Sequence, residues 1–108
     1  MARQLKKTKP LIYVFCEGES EQAYADVLKE LFSDKAVIKR PSPTGIFEKA
    51  AAVFANDPKY KNTADITDEI WFFFDVEKKD IDKWDTRYKI IKNLRKLRKD
   101  KEIRVRLL

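Results

Sequence analysis

Leu11-Ile-Tyr-Val-Phe-Cys16, followed at once by Glu17-Gly-Glu-Ser-Glu21, is the stretch that decides how this chain folds. Six successive apolar residues with no polar alternation describe a strand covered on both faces, the pattern of a parallel sheet with helices above and below it. Gly18 permits the turn that leaves this strand, and Ser20 can cap a helix. Ala23, Tyr24, Val27, Leu28, Leu31 and Phe32 then recur at three-to-four spacing, which predicts a helix to about Phe32 with that face inward.

Working outward, Ala36-Val-Ile-Lys39 reads as a short second strand and Pro41-Ser-Pro-Thr-Gly45 as a loop, since two prolines remove donors and fix the backbone. A second helix presents Phe47, Ala50, Ala51 and Phe54 and stops at Asn56-Asp57-Pro58, because proline disfavours helix at the residue before it. Residues 59–68 are polar and carry no assignment. Glu69-Ile-Trp-Phe-Phe-Phe74 is a further buried strand, with Asp75 at its end. Ile81, Trp84, Tyr88, Ile91 and Leu94 mark one face of a third helix lasting to about Lys99, and Ile103 to Leu108 alternates as a final strand. The order βαβαβαβ predicts an α/β layered domain with a mostly parallel four-stranded sheet and right-handed crossovers. Residues 10–108 form that single domain, after a basic flexible tail over residues 1–9.

The 108 residues suffice for one core, and 44% hydrophobic residues are too many for a disordered chain despite 39% charged ones and a net charge of +6. With no His, the chain runs neither a Ser-His or Cys-His nucleophile pair nor a His-ligated zinc site. Two glycines, Gly18 and Gly45, do not supply the phosphate loops GxxxxGK[ST] or GxGxxG. A single cysteine, Cys16, forms no internal disulfide and suits a reducing compartment, so the expected location is the cytoplasm. Arg3, Lys6, Lys7 and Lys9 precede an apolar run of only Leu11 to Cys16, shorter than a signal peptide needs, and no stretch has the length to span a bilayer.

In open α/β sheets ligands bind outside the carboxyl ends of the strands, and here two such ends are acidic. Glu17 follows the first strand, while Asp75 and Glu77 follow the Phe-rich one. Residues two apart on an extended chain point the same way, so Asp75 and Glu77 can share a cation with Glu17 beside them. Hard oxygen ligands select Mg²⁺ or Mn²⁺ over zinc. The competing reading is a solvated acidic rim, and for Glu19 and Glu21 a favourable position at a helix N-terminus is explanation enough.

Tyr13-Val-Phe-Cys-Glu-Gly-Glu-Ser-Glu21 and Asp68-Glu-Ile-Trp-Phe-Phe-Phe-Asp-Val-Glu77 together resemble the RloB-like branch of the Toprim superfamily, over about residue 10 to the C-terminus. Toprim domains carry a Glu after the first strand of a four-stranded parallel sheet and a DxD motif after a later strand; Glu17 matches the first, Asp75 and Glu77 the second. The resemblance implies divalent-metal-dependent phosphodiester chemistry, as in topoisomerases, primases and phage-defence nucleases, and RloB-like genes are associated with restriction and abortive-infection loci. Two departures stand out. Glu77 takes the place of the usual Asp and is one methylene longer, and RloB-like proteins continue beyond the final strand seen here, so a fragment or truncated product is expected.

Between Arg87 and Arg106 lie ten cationic side chains against Asp100 and Glu102, a local excess of +8. Lys92, Arg95, Lys96 and Lys99 are the candidate nucleic-acid contacts, through phosphates and without base reading; a charged face that keeps the domain in solution is the competing account. Trp71, Phe72, Phe73, Phe74, Trp84 and Tyr88 read as core, and Cys16 as an inert buried thiol.

The leading expectation is a Toprim-type Mg²⁺- or Mn²⁺-dependent nucleic-acid phosphodiester hydrolase, with Asp75 and Glu77 as metal ligands and Glu17 as ligand or general acid/base. The alternative is a catalytically inactive module that binds nucleic acid or a partner. A receiver-like phosphoacceptor using Asp75 ranks third, because the first strand lacks the adjacent acidic pair such domains show. The apolar face of Ile103, Val105 and Leu107, with no helix after it, predicts a homo-oligomer through the C-terminal strand region.

Overall fold

Strand β1 (Leu11–Cys16) is buried at every position, and its side chains alternate between two separate cores. Leu11, Tyr13 and Phe15 join the larger core with Phe47, Phe54, Ile70, Phe72, Ile91 and Leu94. Ile12, Val14 and Cys16 join a smaller one with Ala25, Ile38 and Phe73 on the opposite face. The computed structural model describes residues 9–41, 44–74 and 84–107.

After β1 come α1 (Glu19–Leu31), β2 (Val37–Lys39), α2 (Phe47–Asn56), α3 (Pro58–Lys61), a 3-10 turn at Ala64–Ile66, β3 (Glu69–Phe73), α4 (Trp84–Arg95) and β4 (Arg104–Leu107). The four strands pair in the order β2-β1-β3-β4, and every pairing is parallel. The expected α/β architecture with a four-stranded parallel sheet is therefore present. The short α3 lies in the stretch the sequence reading left unassigned. Asp57 caps it by accepting from the Lys59 N–H at 3.0 Å, and Pro58 opens it at a position where a missing N–H costs nothing.

Helix α1 turns a different face to the sheet from the one its periodicity suggested. Ala25 is buried and Leu28 half-buried, whereas Tyr24, Val27 and Leu31 are 60%, 52% and 66% exposed. The small Ala25 lets the helix axis approach β1 and β2, and the bulky residues on either side of that contact are left outside. In α4, Trp84 is half-buried while Arg87, Ile91 and Leu94 form the buried stripe; Tyr88, expected inward, is 61% exposed. α4 also stops at Arg95, four residues before the expected end.

The final strand is less bare than its sequence suggests. Ile103 is fully buried and Val105 packs against the larger core, which α4 also lines, so only Leu107 of that face is strongly exposed. What remains open is the outer edge of β4, which has no strand partner among the described residues. Ile81, the expected start of the third helix, lies outside the described residues, as do residues 1–8 of the basic tail. No described helix is long and apolar enough to cross a membrane.

At the amino edge of the sheet, Asp68 ties three strands together. Its carboxylate accepts the Leu11 N–H at 2.8 Å and faces Arg98 Nη1 at 3.3 Å and Lys101 Nζ at 3.4 Å. Its own N–H donates to Leu11 O and its carbonyl accepts from Arg104 N. Asp68→Ala leaves the Leu11 amide without its acceptor and takes one of two carboxylates from the mostly buried Arg98, and should lower the unfolding free energy by about 2 kcal/mol in chemical denaturation. Asp100→Ala, which removes a carboxylate 64% exposed to solvent, should cost much less.

Candidate functional site at the carboxyl edge of the sheet

Because all four strands run the same way, their C-terminal ends share one edge. The pairing of Cys16 with Phe73 places the exits of β1 and β3 side by side, and the Glu17 N–H extends that ladder by donating to Phe73 O at 3.0 Å. Glu17 is exposed there, at the mouth of α1. The loop before α2 reaches the same edge, where the Gly45 N–H donates to Cys16 O at 2.8 Å. Gly45 has φ +139°, and a Cβ at that position would lie 2.8 Å from Lys49 Cβ, so only glycine fits this link without strain. Glu19 and Glu21 occupy the first turn of α1, where the helix dipole favours negative charge.

Asp75 and Glu77, the expected metal pair, lie outside the described residues. Phe74, immediately before Asp75 in the chain, is half-buried and packs against Phe47 and Trp84, with ring centroids 5.5 and 6.0 Å away. Among the described residues no group of three or more His, Cys, Asp or Glu side chains is placed to hold a metal ion. Of the three expected ligands, Glu17 alone is located, and it stands at the edge where the sequence reading put it.

Sequence reasoning missed one residue at this edge. Arg87, counted above as one more surface cation, is only 5% exposed. Its guanidinium carbon sits 4.9 Å from the centroid of the Phe47 ring and 5.4 Å from that of Trp84. Among the described residues its buried Nε has no hydrogen-bond partner. The signal was present in the spacing, since 84, 87, 91 and 94 fit a helical face as well as 84, 88, 91 and 94, but polarity argued for Tyr88.

The candidate nucleic-acid cations lie elsewhere. α4 runs against the strands, from Trp84 at the carboxyl edge to Arg95 at the amino edge, where Ile103 N donates to Arg95 O at 2.9 Å. Its 12 residues span about 17 Å at the usual rise. Lys92, Arg95 and Lys96 are exposed at the far end, and Lys99 lies in the turn beyond the helix. Arg98 is taken up by Asp100, Thr67 O and Asp68, and Arg106 Nε by Glu69 at 2.7 Å. The Asp100 hydrogen bonds hold the Arg98 guanidinium above its ordinary pKa and the Asp100 carboxyl below its own.

Cys16 is buried as expected. Loss of hydration pushes its thiol up to about 11, Arg40 opposing and Glu21 and Asp26 adding to the rise. Comparisons with known proteins place no further constraint: no protein-family model matches the chain, and neither curated proteins nor solved structures gave a match.

A protonated, buried thiol should resist alkylation. Iodoacetamide at pH 8 should leave Cys16 unmodified in the native protein and label it rapidly in denaturant. The folded state holds the thiol proton more tightly than the unfolded chain, so this stabilising contribution is complete below pH 9.0 and is lost as pH rises toward 11.

Proposed function

We propose that the chain is a Toprim-like domain of the RloB-like kind, acting on nucleic-acid phosphodiesters with Mg²⁺ or Mn²⁺ held by Asp75, Glu77 and Glu17. One observation carries this reading: in an all-parallel four-stranded sheet, Glu17 leaves β1 hydrogen-bonded to Phe73, beside the strand exit whose next residues in sequence are Phe74-Asp-Val-Glu77. The located donor suits a hard cation. Glu17 offers exposed carboxylate oxygens, while the neighbouring thiol of Cys16 is buried and keeps its proton, so no soft ligand competes for the ion. The ion would supply electrostatic stabilisation of charge developing on the phosphoryl oxygens. Glu17 would hold the ion, or would move a proton at the attacking or leaving oxygen. A place in a phage-defence or restriction-associated system belongs to the same proposal and rests on the resemblance alone.

The binding-only alternative has an observation of its own. Lys92, Arg95, Lys96 and Lys99 are exposed at the amino edge, a helix length from Glu17, so they can hold a nucleic acid without serving the acidic edge.

Cleavage of DNA or RNA should therefore require Mg²⁺ or Mn²⁺ and stop in EDTA. Asp75→Asn and Glu17→Gln should each lower the rate by about 100-fold or more with the thermal midpoint unchanged. Nucleic acid bound but left uncut in both metals would support the binding module instead. Replacing Lys92, Arg95, Lys96 and Lys99 by Gln should weaken binding of every sequence alike, and each lost phosphate contact on duplex DNA should flatten the log-log salt dependence by about 0.9. Binding insensitive to both salt and these substitutions would remove the phosphate contacts from the proposal.

A further inference from the structure

We infer that Arg87 is the receptor for a phosphodiester oxyanion at the carboxyl edge of the sheet. A guanidinium does not lose its proton in a protein, so burying the residue 95% without an anion leaves a charge largely withdrawn from water. The rings of Phe47 and Trp84 return part of that lost hydration through their faces, at 4.9 and 5.4 Å. They also hold the planar group in one orientation, which lowers the entropy lost when it binds a partner. Among the described residues it has no ion pair, and its Nε hydrogen has no acceptor. Among the other described residues the buried or half-buried arginines have carboxylates: Arg98 has Asp100 and Asp68, and Arg40 has Asp26. Arg87 stands apart from that pattern, and its place does too. It lies on the first turn of α4 and stacks on the first residue of α2, at the edge where Glu17 leaves β1.

The fork of a guanidinium matches two oxygens of one phosphate, and an arginine already stacked on aromatic rings is preorganised for that contact. A phosphodiester is named over a protein carboxylate because the proposed nuclease reading brings one to this edge, where its two non-bridging oxygens match the fork. The identity of the anion rests on the proposed nuclease reading; the presence of an anion receptor does not.

The test is a titration of the ¹⁵N-labelled full chain with inorganic phosphate in EDTA, against chloride at matched ionic strength, following the Arg87 Nε–H resonance and the fluorescence of Trp84. A saturable shift of Nε–H at millimolar phosphate is expected. Arg87→Lys, which keeps the charge but loses the fork, should weaken it by about tenfold or more. Arg87→Met should abolish it while leaving the thermal midpoint equal or higher, since a buried unpaired charge is replaced by an apolar group of similar shape. A response that survives Arg87→Met, or none in the wild type, overturns the inference. So does an Nε–H already hydrogen-bonded in phosphate-free protein and unmoved by phosphate, which would mean that a carboxylate of the chain itself is the partner. Because the titration contains no divalent metal, its failure is separable from that of the nuclease reading, which a parallel Mn²⁺ titration addresses.

Discussion

Asp68 is the point on which the sheet hangs. A parallel pair of strands has no tight hairpin to set its register, so something at the strand entrances must do so. Here one aspartate bonds the first amide of β1, its backbone links β1 to β4, and its carboxylate anchors Arg98 on the way from α4 to β4. With the entrances of three strands fixed, their exits are fixed as well. Glu17 comes to lie beside Phe73 at the opposite edge because of a constraint acting at this one.

The two edges thereby acquire different chemistry. At the amino edge, acids and bases neutralise one another in Asp68, Arg98, Asp100 and Lys101, and this is structural. At the carboxyl edge, Glu17 is exposed and Arg87 is buried against aromatic rings with an Nε that has no partner. A buried guanidinium whose Nε has no acceptor among the described residues can take one from a ligand. That asymmetry, more than the net charge of +6, directs attention to the carboxyl edge.

Much of the fold was legible in the sequence because burial on both faces leaves a continuous apolar run, and β1 and β3 each carry one. The edge strands were harder, since β2 has three residues and β4 four, with polar neighbours. Faces of helices were read less well. α1 has apolar residues over nearly half its circumference, and which of them turn inward depends on how closely the axis approaches the sheet, a tertiary matter that Ala25 decides. Arg87 was misread for a related reason: burial was assigned by polarity, and of the two rings that make a buried guanidinium tolerable the nearer, Phe47, comes from α2, forty residues earlier in sequence. The position of Glu17 at the carboxyl edge was legible because strand exits are legible wherever strands are. Arg98 was counted with the surface cations because two of its partners, Thr67 and Asp68, are thirty residues away.

The central claim is that ligand chemistry belongs to the carboxyl edge. Paramagnetic broadening by Mn²⁺, added below stoichiometry to the ¹⁵N-labelled protein, tests it most directly because the effect falls steeply with distance from the ion. The account predicts that the amides of Glu17, Gly18 and Gly45 broaden first while those of Asp68, Asp100 and Lys101 stay sharp. Broadening that begins at Asp68 and Asp100, or that spreads evenly over all exposed carboxylates, would contradict it.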